Sequence, residues 1–502
     1  MKKITIILAS IWSVLTLCLG TLFIKKYYQM GVQNICYRPE IEPGIIGQII
    51  WAVIAYLIAI LVIYGFVDFL VKVFRVKDKE RQIALFSIPF LGVLGLKMAK
   101  IIYHSNLPLE QLTNFYVGDE KNIWDAAVRL YPNFFVYTSE VYLICFFILP
   151  IVLAPSIIKI VMCSVIMGYT VYRIWNHYHS WLVALIYLYL FALEPIRGMG
   201  VQVHRMHWYA MLYLFLMVKL FFDCKEGIDY NTFELVIISM IISVLSVWRR
   251  EGIYLLPFGV IFLLVHFNMI NHSAGQEQSS EKQSKIRILF VFIAIWLAVY
   301  LPLTKNGLNE KGVTASAYFV YMLSEQSLDR EKIKDDLGIA DKYLDIQTID
   351  RFNNEMGIKA YDETFYLYPD YMDNKYYAIK EGTSINDEEL MDAVLDIIKK
   401  QPIVFIKSRI HAFAALCRSL NSYNLIIPTV LLLVITCFGI ITKDTILSSM
   451  SIGVVIHTGL TAVAMPASFF KYFYQMYLYA YIFILVIILE YKDKQRNNKE
   501  LG

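Results

Sequence analysis

The sequence predicts an all-α polytopic membrane protein, a bundle of about 11–13 transmembrane helices carrying a small, mostly helical extracytoplasmic insert. Three observations carry that prediction. Hydrophobic residues make up 58% of the 502 and charged residues only 18%, with a mean hydropathy of +0.53. Apolar runs near the ~20 residues that a helix needs to cross a bilayer recur along the chain. Hydropathy collapses in one long stretch, 304–423. The net charge of +4 implies no nucleic acid, because in a membrane protein the informative quantity is which loops hold Lys and Arg.

Taken in order, Lys2 and Lys3 precede a first apolar run at 4–24. No small-x-small cleavage site follows "LTLCLGTLF", so this reads as an uncleaved helix rather than a signal peptide. A second run at 49–72 completes an N-terminal pair, 1–82. The core, 83–303, holds runs at 83–103, 138–154, 156–173, 180–195, 207–223, 232–248, 252–268 and 286–303, with a polar loop at 104–137. The insert 304–423 is long enough for a small domain. Within it "IVFIKSRIHAFAALCRS", with Lys407, Arg409, His411 and Arg418 on an apolar background, reads as an interfacial helix. Runs at 424–441, 444–465 and 467–490 and a short basic tail complete the segment 424–502. Cys18, Cys36, Cys145, Cys163, Cys224, Cys417 and Cys437 are scattered, mostly in apolar runs and without CxxC spacing, and read as small core residues.

The basic clusters "KVFRVKDKER" and "YKDKQRNNK" belong in the cytoplasm by the positive-inside rule. The loop 104–137 is then external, and so is the insert when counted back from the tail. Seven crossings between 138 and 303 contradict this, because they would leave the chain on the opposite face. One segment must be short, split or re-entrant. The suspects are 180–195, which ends at Pro195, and the 232–268 pair interrupted by "WRREG".

The loop carries "VGDEKNIWDAAVRLYP" at 117–132. Asp119 is suited to cap a short helix on which Ile123, Ala127 and Leu130 share a face, with Trp124 and Val128 beside them. Such a helix would lie on the membrane surface and present Asp119 and Glu120, where a carboxylate can accept a proton from a hydroxyl. A solvated helix cap is the plain alternative.

A hydrophobic helix followed by an external loop with "GDE", an aromatic, small residues and "RLYP", then a run of helices and a late extracytoplasmic domain, resembles the GT-C-type polytopic glycosyltransferases. That superfamily includes protein O-mannosyltransferases and lipid A aminoarabinose transferases. The resemblance implies a catalytic role for Asp119 and Glu120 and a polyprenyl-phosphate sugar donor whose head group emerges at the external face. "FFKYFYQMYLYAYIFIL" loosely echoes an Arg-Tyr before a late helix of the family, with Lys471 in place of the Arg.

Transfer also needs cations to stabilise the departing phosphate. "EPIRGMGVQVHRMHW" offers Arg197, His204, Arg205 and His207, and "VWRREGIY" offers Arg249 and Arg250 beside Glu251. Arg suits phosphate because its fork binds two oxygens, and Gly198 and Gly200 permit close backbone approach. Ordinary basic loops are the plain alternative for both clusters. His177 and His179 in "WNHYHSW" point apart on a helix and have no third ligand, so they read as an interfacial aromatic belt. No residue is assigned as a metal ligand, although the chemistry leaves room for a divalent metal.

The expected activity is thus sugar transfer from a polyprenyl-phosphate donor to a cell-surface glycan, lipid or protein acceptor, in contact with membrane lipid and without nucleic acid. The alternatives are an O-antigen-type polymerase or ligase and a flippase of lipid-linked saccharides. A flippase would place its charges at mid-membrane in paired broken helices, whereas the acid pair lies in a loop. The Lys-, Ile- and Tyr-rich composition points to a bacterial plasma membrane, with sugar, acceptor and stereochemistry left open.

Overall fold

The computed structural model describes residues 2–30, 44–73, 95, 120–131, 137–180, 195–196, 205–228, 230–274, 289–301, 311–323, 325, 331–347, 349–350, 380, 386–418, 423–465 and 468–501. Among these every regular element is a helix. Six helices among the described residues are long and apolar enough to cross a membrane. The chain divides into two compact units, one of 1–306, 438–450 and 481–502, the other of 307–437 and 451–480.

The first unit opens with α1 (Lys2–Met30) and α2 (Ile45–Val73). Their shared seam is small or hydroxylic, with Thr5, Ala9, Ser13 and Thr16 of α1 and Ala55 and Ala59 of α2 buried. Small side chains let two backbones approach closely where lipid supplies no hydrophobic drive. Tyr56 donates to the Ser13 carbonyl at 2.9 Å, and the remaining Leu, Ile and Val faces are exposed, as lipid-facing surfaces require.

Within the acid-pair loop the described helix is α3 (Glu120–Val128). Asp119 itself lies outside the described residues, as does nearly all of 83–103. The expected surface helix is not what forms. Ile123, Trp124, Ala126, Ala127 and Val128 are all buried, and Leu130 sits past the helix end with φ 60.

Helix α4 (Thr138–Ile148) follows Tyr137, whose φ of 58 is left-handed, and stops at the extended Leu149. Its 11 residues rise only about 16 Å, half the ~30 Å hydrocarbon thickness. The predicted crossing at 138–154 is therefore too short to be one. Helix α5 (Ala154–Tyr178) starts with Pro155 in its first turn and is full length.

Helices α5 and α6 (Arg205–Lys225) run parallel. Cys163 touches His207 at 3.0 Å, Tyr169 meets Phe215 at 5.2 Å, and Arg173 pairs with Asp223 at 2.6 Å, one level after another. Helix α7 (Thr232–Trp248) begins with a reciprocal capping box between Asn231 and Glu234. After a 3₁₀ turn at Arg250–Tyr254 comes α8 (Leu255–Ala274), packed back along α7. Gly259 lies against Ile242, and at the turn a Cβ on Gly252 would overlap the Leu245 carbonyl oxygen. The suspected 232–268 interruption is thus a complete hairpin. Helix α9 (Leu289–Leu301) returns to the starting level, where Tyr137 donates to the Val299 carbonyl. The half-length α4 takes one full crossing out of the seven expected between 138 and 303. The other suspect, 180–195, lies almost wholly outside the described residues.

The second unit has its own apolar core, built by α10 (Lys311–Leu323), α11 (Lys334–Tyr343), α12 (Asp387–Lys400) and α13 (Pro402–Arg418). Phe319, Met322, Ala340, Leu390, Val394, Ile397 and Val404 are among its buried members. Arg409 of α13 is enclosed by the rings of Tyr318, Tyr321 and Phe405 at 4.7–5.7 Å and donates to the Met465 carbonyl at 3.0 Å. His411 pairs with the buried Glu325 at 2.7 Å. These two polar residues therefore face inward, not toward an interface as the sequence suggested, because an aromatic cage and a carboxylate receive them. Helices α14 (Ile426–Ile441), α15 (Thr445–Ala464) and α16 (Tyr474–Leu501) run through both units.

Candidate active site

Glu120 is 1% exposed, so the acid is not presented to solvent. One carboxylate oxygen accepts the Tyr142 hydroxyl, and the other accepts the backbone N–H of Arg205 at 2.9 Å. Arg205 is the first described residue of α6, and a carboxylate bonded to a helix N–H at that end is favoured by the helix dipole. Glu120 thus ties three elements together: α3 through its own backbone, α4 through Tyr142, and the amino end of α6. A buried carboxylate is tolerated because both oxygens are hydrogen-bonded.

Around the same end of α6 lie more charged groups. Arg249, at the close of α7, is buried and ion-paired with Glu251. Its guanidinium donates to the Met206 sulfur at 2.8 Å and lies 5.8 Å from the Tyr209 ring. The structure therefore gathers Glu120, Arg205 and Arg249 at one helix end, from segments far apart in sequence. Arg197 and His204 lie outside the described residues, as does the side chain of Arg250. Lys471 belongs to the second unit, where its ammonium stands 4.8 Å from the Phe469 ring and 5.5 Å from the Tyr472 ring.

Within α3, Asp125 is buried and pairs with Arg129 one turn on, at 3.2 Å. Burial pushes the Asp125 carboxyl above its ordinary range, and Arg129 pulls the other way. Among the described residues no group of three or more His, Cys, Asp or Glu is arranged to hold a metal ion.

No family model, curated protein or solved structure matches the chain. The site therefore stands on its own geometry.

Sequence reasoning missed three features. Tyr142 sits in what read as a plain crossing. Lys159 is fully buried on α5, one turn before the Cys163 that touches His207. A lone Lys inside "APSIIKIVMCS" was the available signal, since intramembrane charges default to a function. The third is a charged network at the opposite end of α6, about 30 Å away by helix rise. There Asp223 accepts from Arg173 at 2.6 Å, Lys219 at 2.7 Å and Tyr230 at 2.9 Å. Lys225 binds Asp444 at 2.6 Å and Glu490 at 2.9 Å, while Tyr178 donates to Glu490 at 2.7 Å. Helices α5, α6, α15 and α16 are pinned together at that end. His177 belongs to it too, 3.8 Å from Glu226 and edge-on to Phe222.

Proposed function

We propose that the protein is a membrane glycosyltransferase that moves a sugar from a polyprenyl-phosphate donor to a cell-surface glycan, lipid or protein, at the external face of the plasma membrane. The observation that carries this reading is the attachment of the acid-pair loop, through Glu120, to the amino end of α6 beside Arg205 and Arg249. In this reading the acceptor oxygen forms a bond to the anomeric carbon while the bond from that carbon to phosphate oxygen breaks. Asp119 receives or orients the hydroxyl proton. The leaving phosphate takes the electron pair, and the Arg205 guanidinium stabilises its charge. Glu120 acts as the anchor of the loop rather than as a second base. Arg249 is committed to Glu251 and holds the α7–α8 turn against α6. Arg197, His204 and Arg250 stay candidates for the donor phosphate, while Lys471, which the sequence added to that set, belongs to the second unit.

The test is Asp119→Asn, assayed in membranes with a panel of polyprenyl-phosphate sugars. The substitution keeps size and the capping oxygen but removes the charge, and turnover should fall roughly 10²–10⁴-fold. Near-normal transfer at equal protein level would reject the assignment. A flippase is the second reading, favoured by the paired charges buried along α5 and α6. It predicts translocation of lipid-linked sugar that survives Asp119→Asn, with no sugar transfer by the parent protein.

A further inference from the structure

Helix α13 has a face that is left exposed among the described residues of the second unit. Ile403, Ile406 and Ile410 are 66%, 54% and 59% exposed, while Val404, Ser408, Arg409, Ala412 and Ala415 on the other side are buried. The exposed isoleucines recur at i, i+3 and i+7, a single stripe on a helix of 3.6 residues per turn. Lys407 and Arg418 are exposed and fall along one edge of that stripe, at i and i+11. In the last turn of α12, just before α13, Lys399 is also exposed. Three large aliphatic side chains in water would cost about 1.5–3 kcal/mol each relative to full burial, so the stripe implies an apolar partner.

We infer that α13 lies in the headgroup–acyl boundary of the bilayer, its isoleucine stripe in lipid and its basic edge against anionic headgroups. Two features select lipid over a protein partner. The same exposed aliphatic character continues after a short connection into α14, where Ile426, Ile427, Val430, Leu433 and Val434 are exposed on an apolar helix of 16 residues. The stripe is also flanked by lysine and arginine with no carboxylate among the residues of α13, the pattern that favours a negatively charged surface. The inward cage around Arg409 and the His411–Glu325 pair then serve a different purpose. They lock α13 onto α10, so that docking of one helix fixes the whole insert against the membrane. The inference stands apart from the proposed sugar transfer and needs only that the chain be membrane-embedded.

The test uses the full chain in vesicles that contain a phospholipid with a photoactivatable group high on its acyl chain, with adducts mapped by mass spectrometry. Adducts are expected on Ile403, Ile406 and Ile410 as on the exposed residues of α14, and not on the exposed Glu388 of α12. Adducts on α14 but none on the three isoleucines would overturn the inference. So would rapid disulfide formation between copies carrying Ile406→Cys, which would make the stripe a homotypic contact. In vesicles of anionic lipid, Lys407→Gln should lower the adduct yield on Ile406 and Ile410 about fivefold relative to the parent, the factor for one basic residue near a charged surface. The same variant should change nothing in zwitterionic vesicles. Equal loss in both would deny the electrostatic half of the inference.

Discussion

The Glu120–Tyr142 contact is the most exposed point of the structural reasoning, because it predicts an interaction energy. Tyr142→Phe removes a hydrogen bond to a buried carboxylate and should cost about 1.5–3 kcal/mol. Glu120→Ala removes the acceptor of both donors, Tyr142 and the Arg205 N–H. It therefore loses two bonds of about 1.5–3 kcal/mol each, one of them the bond that Tyr142→Phe also removes. Because both changes break the same contact, the double variant should cost less than the sum by about 1.5–3 kcal/mol. Equilibrium unfolding in mixed detergent micelles, followed by tryptophan fluorescence, measures the cycle. Trp124, buried on α3, is a nearby reporter. Additivity within about 0.5 kcal/mol would mean that Tyr142 and Glu120 do not share a bond. The loop would then lack the anchor assigned to it.

Other outcomes follow from the same structure. Asp223→Ala leaves Arg173, Lys219 and Tyr230 without their common acceptor, and should destabilise the protein by about 3–5 kcal/mol, read as lost monodisperse yield and earlier unfolding. Gly252→Ala should cost about 1–3 kcal/mol in the same assay, because the added methyl meets the Leu245 carbonyl in a tight turn. In the insert, hydrogen bonds from Tyr343 and then Lys342 hold the Glu389 carboxyl below its ordinary value of 4.5. Its contribution to stability is therefore complete above that value and lost as pH falls through the lowered one. Tyr343→Phe should move the acid limb of thermal unfolding to higher pH, and Glu389→Gln should flatten it; parallel melting profiles for parent and both variants would contradict the assignment.

Much of the helical order was legible because long apolar runs speak for themselves: 207–223 became α6 and 444–465 became α15 with edges shifted only slightly. The 138–154 run misled because hydropathy averages over Leu149 and Pro150 and sees no break. The backbone ends α4 there, and the next helix starts five residues later. The loop helix was legible in position but not in burial. Periodicity identified Ile123 and Ala127 as an apolar face, yet Glu120 is buried by Tyr142 and the α6 amino end, partners 22 and 85 residues away. Such long-range pairing leaves no local mark. The inward turn of Arg409 was hidden for the same reason, since Tyr318 and Tyr321 lie on another helix.

The brevity of α4 has a consequence for how the chain is made. As it leaves the ribosome, "TSEVYLICFF" is apolar enough to be offered to the insertion machinery as a stop, yet accepting it would invert every later helix. In the folded chain its neighbours complete the burial: Tyr142, Phe146 and Phe147 are wrapped by protein, and Trp12 of α1 donates to the Ile148 carbonyl at the helix end. A helix too short to face lipid along its length is thus sheltered by its neighbours, and changes in α1 that open that contact would uncover it.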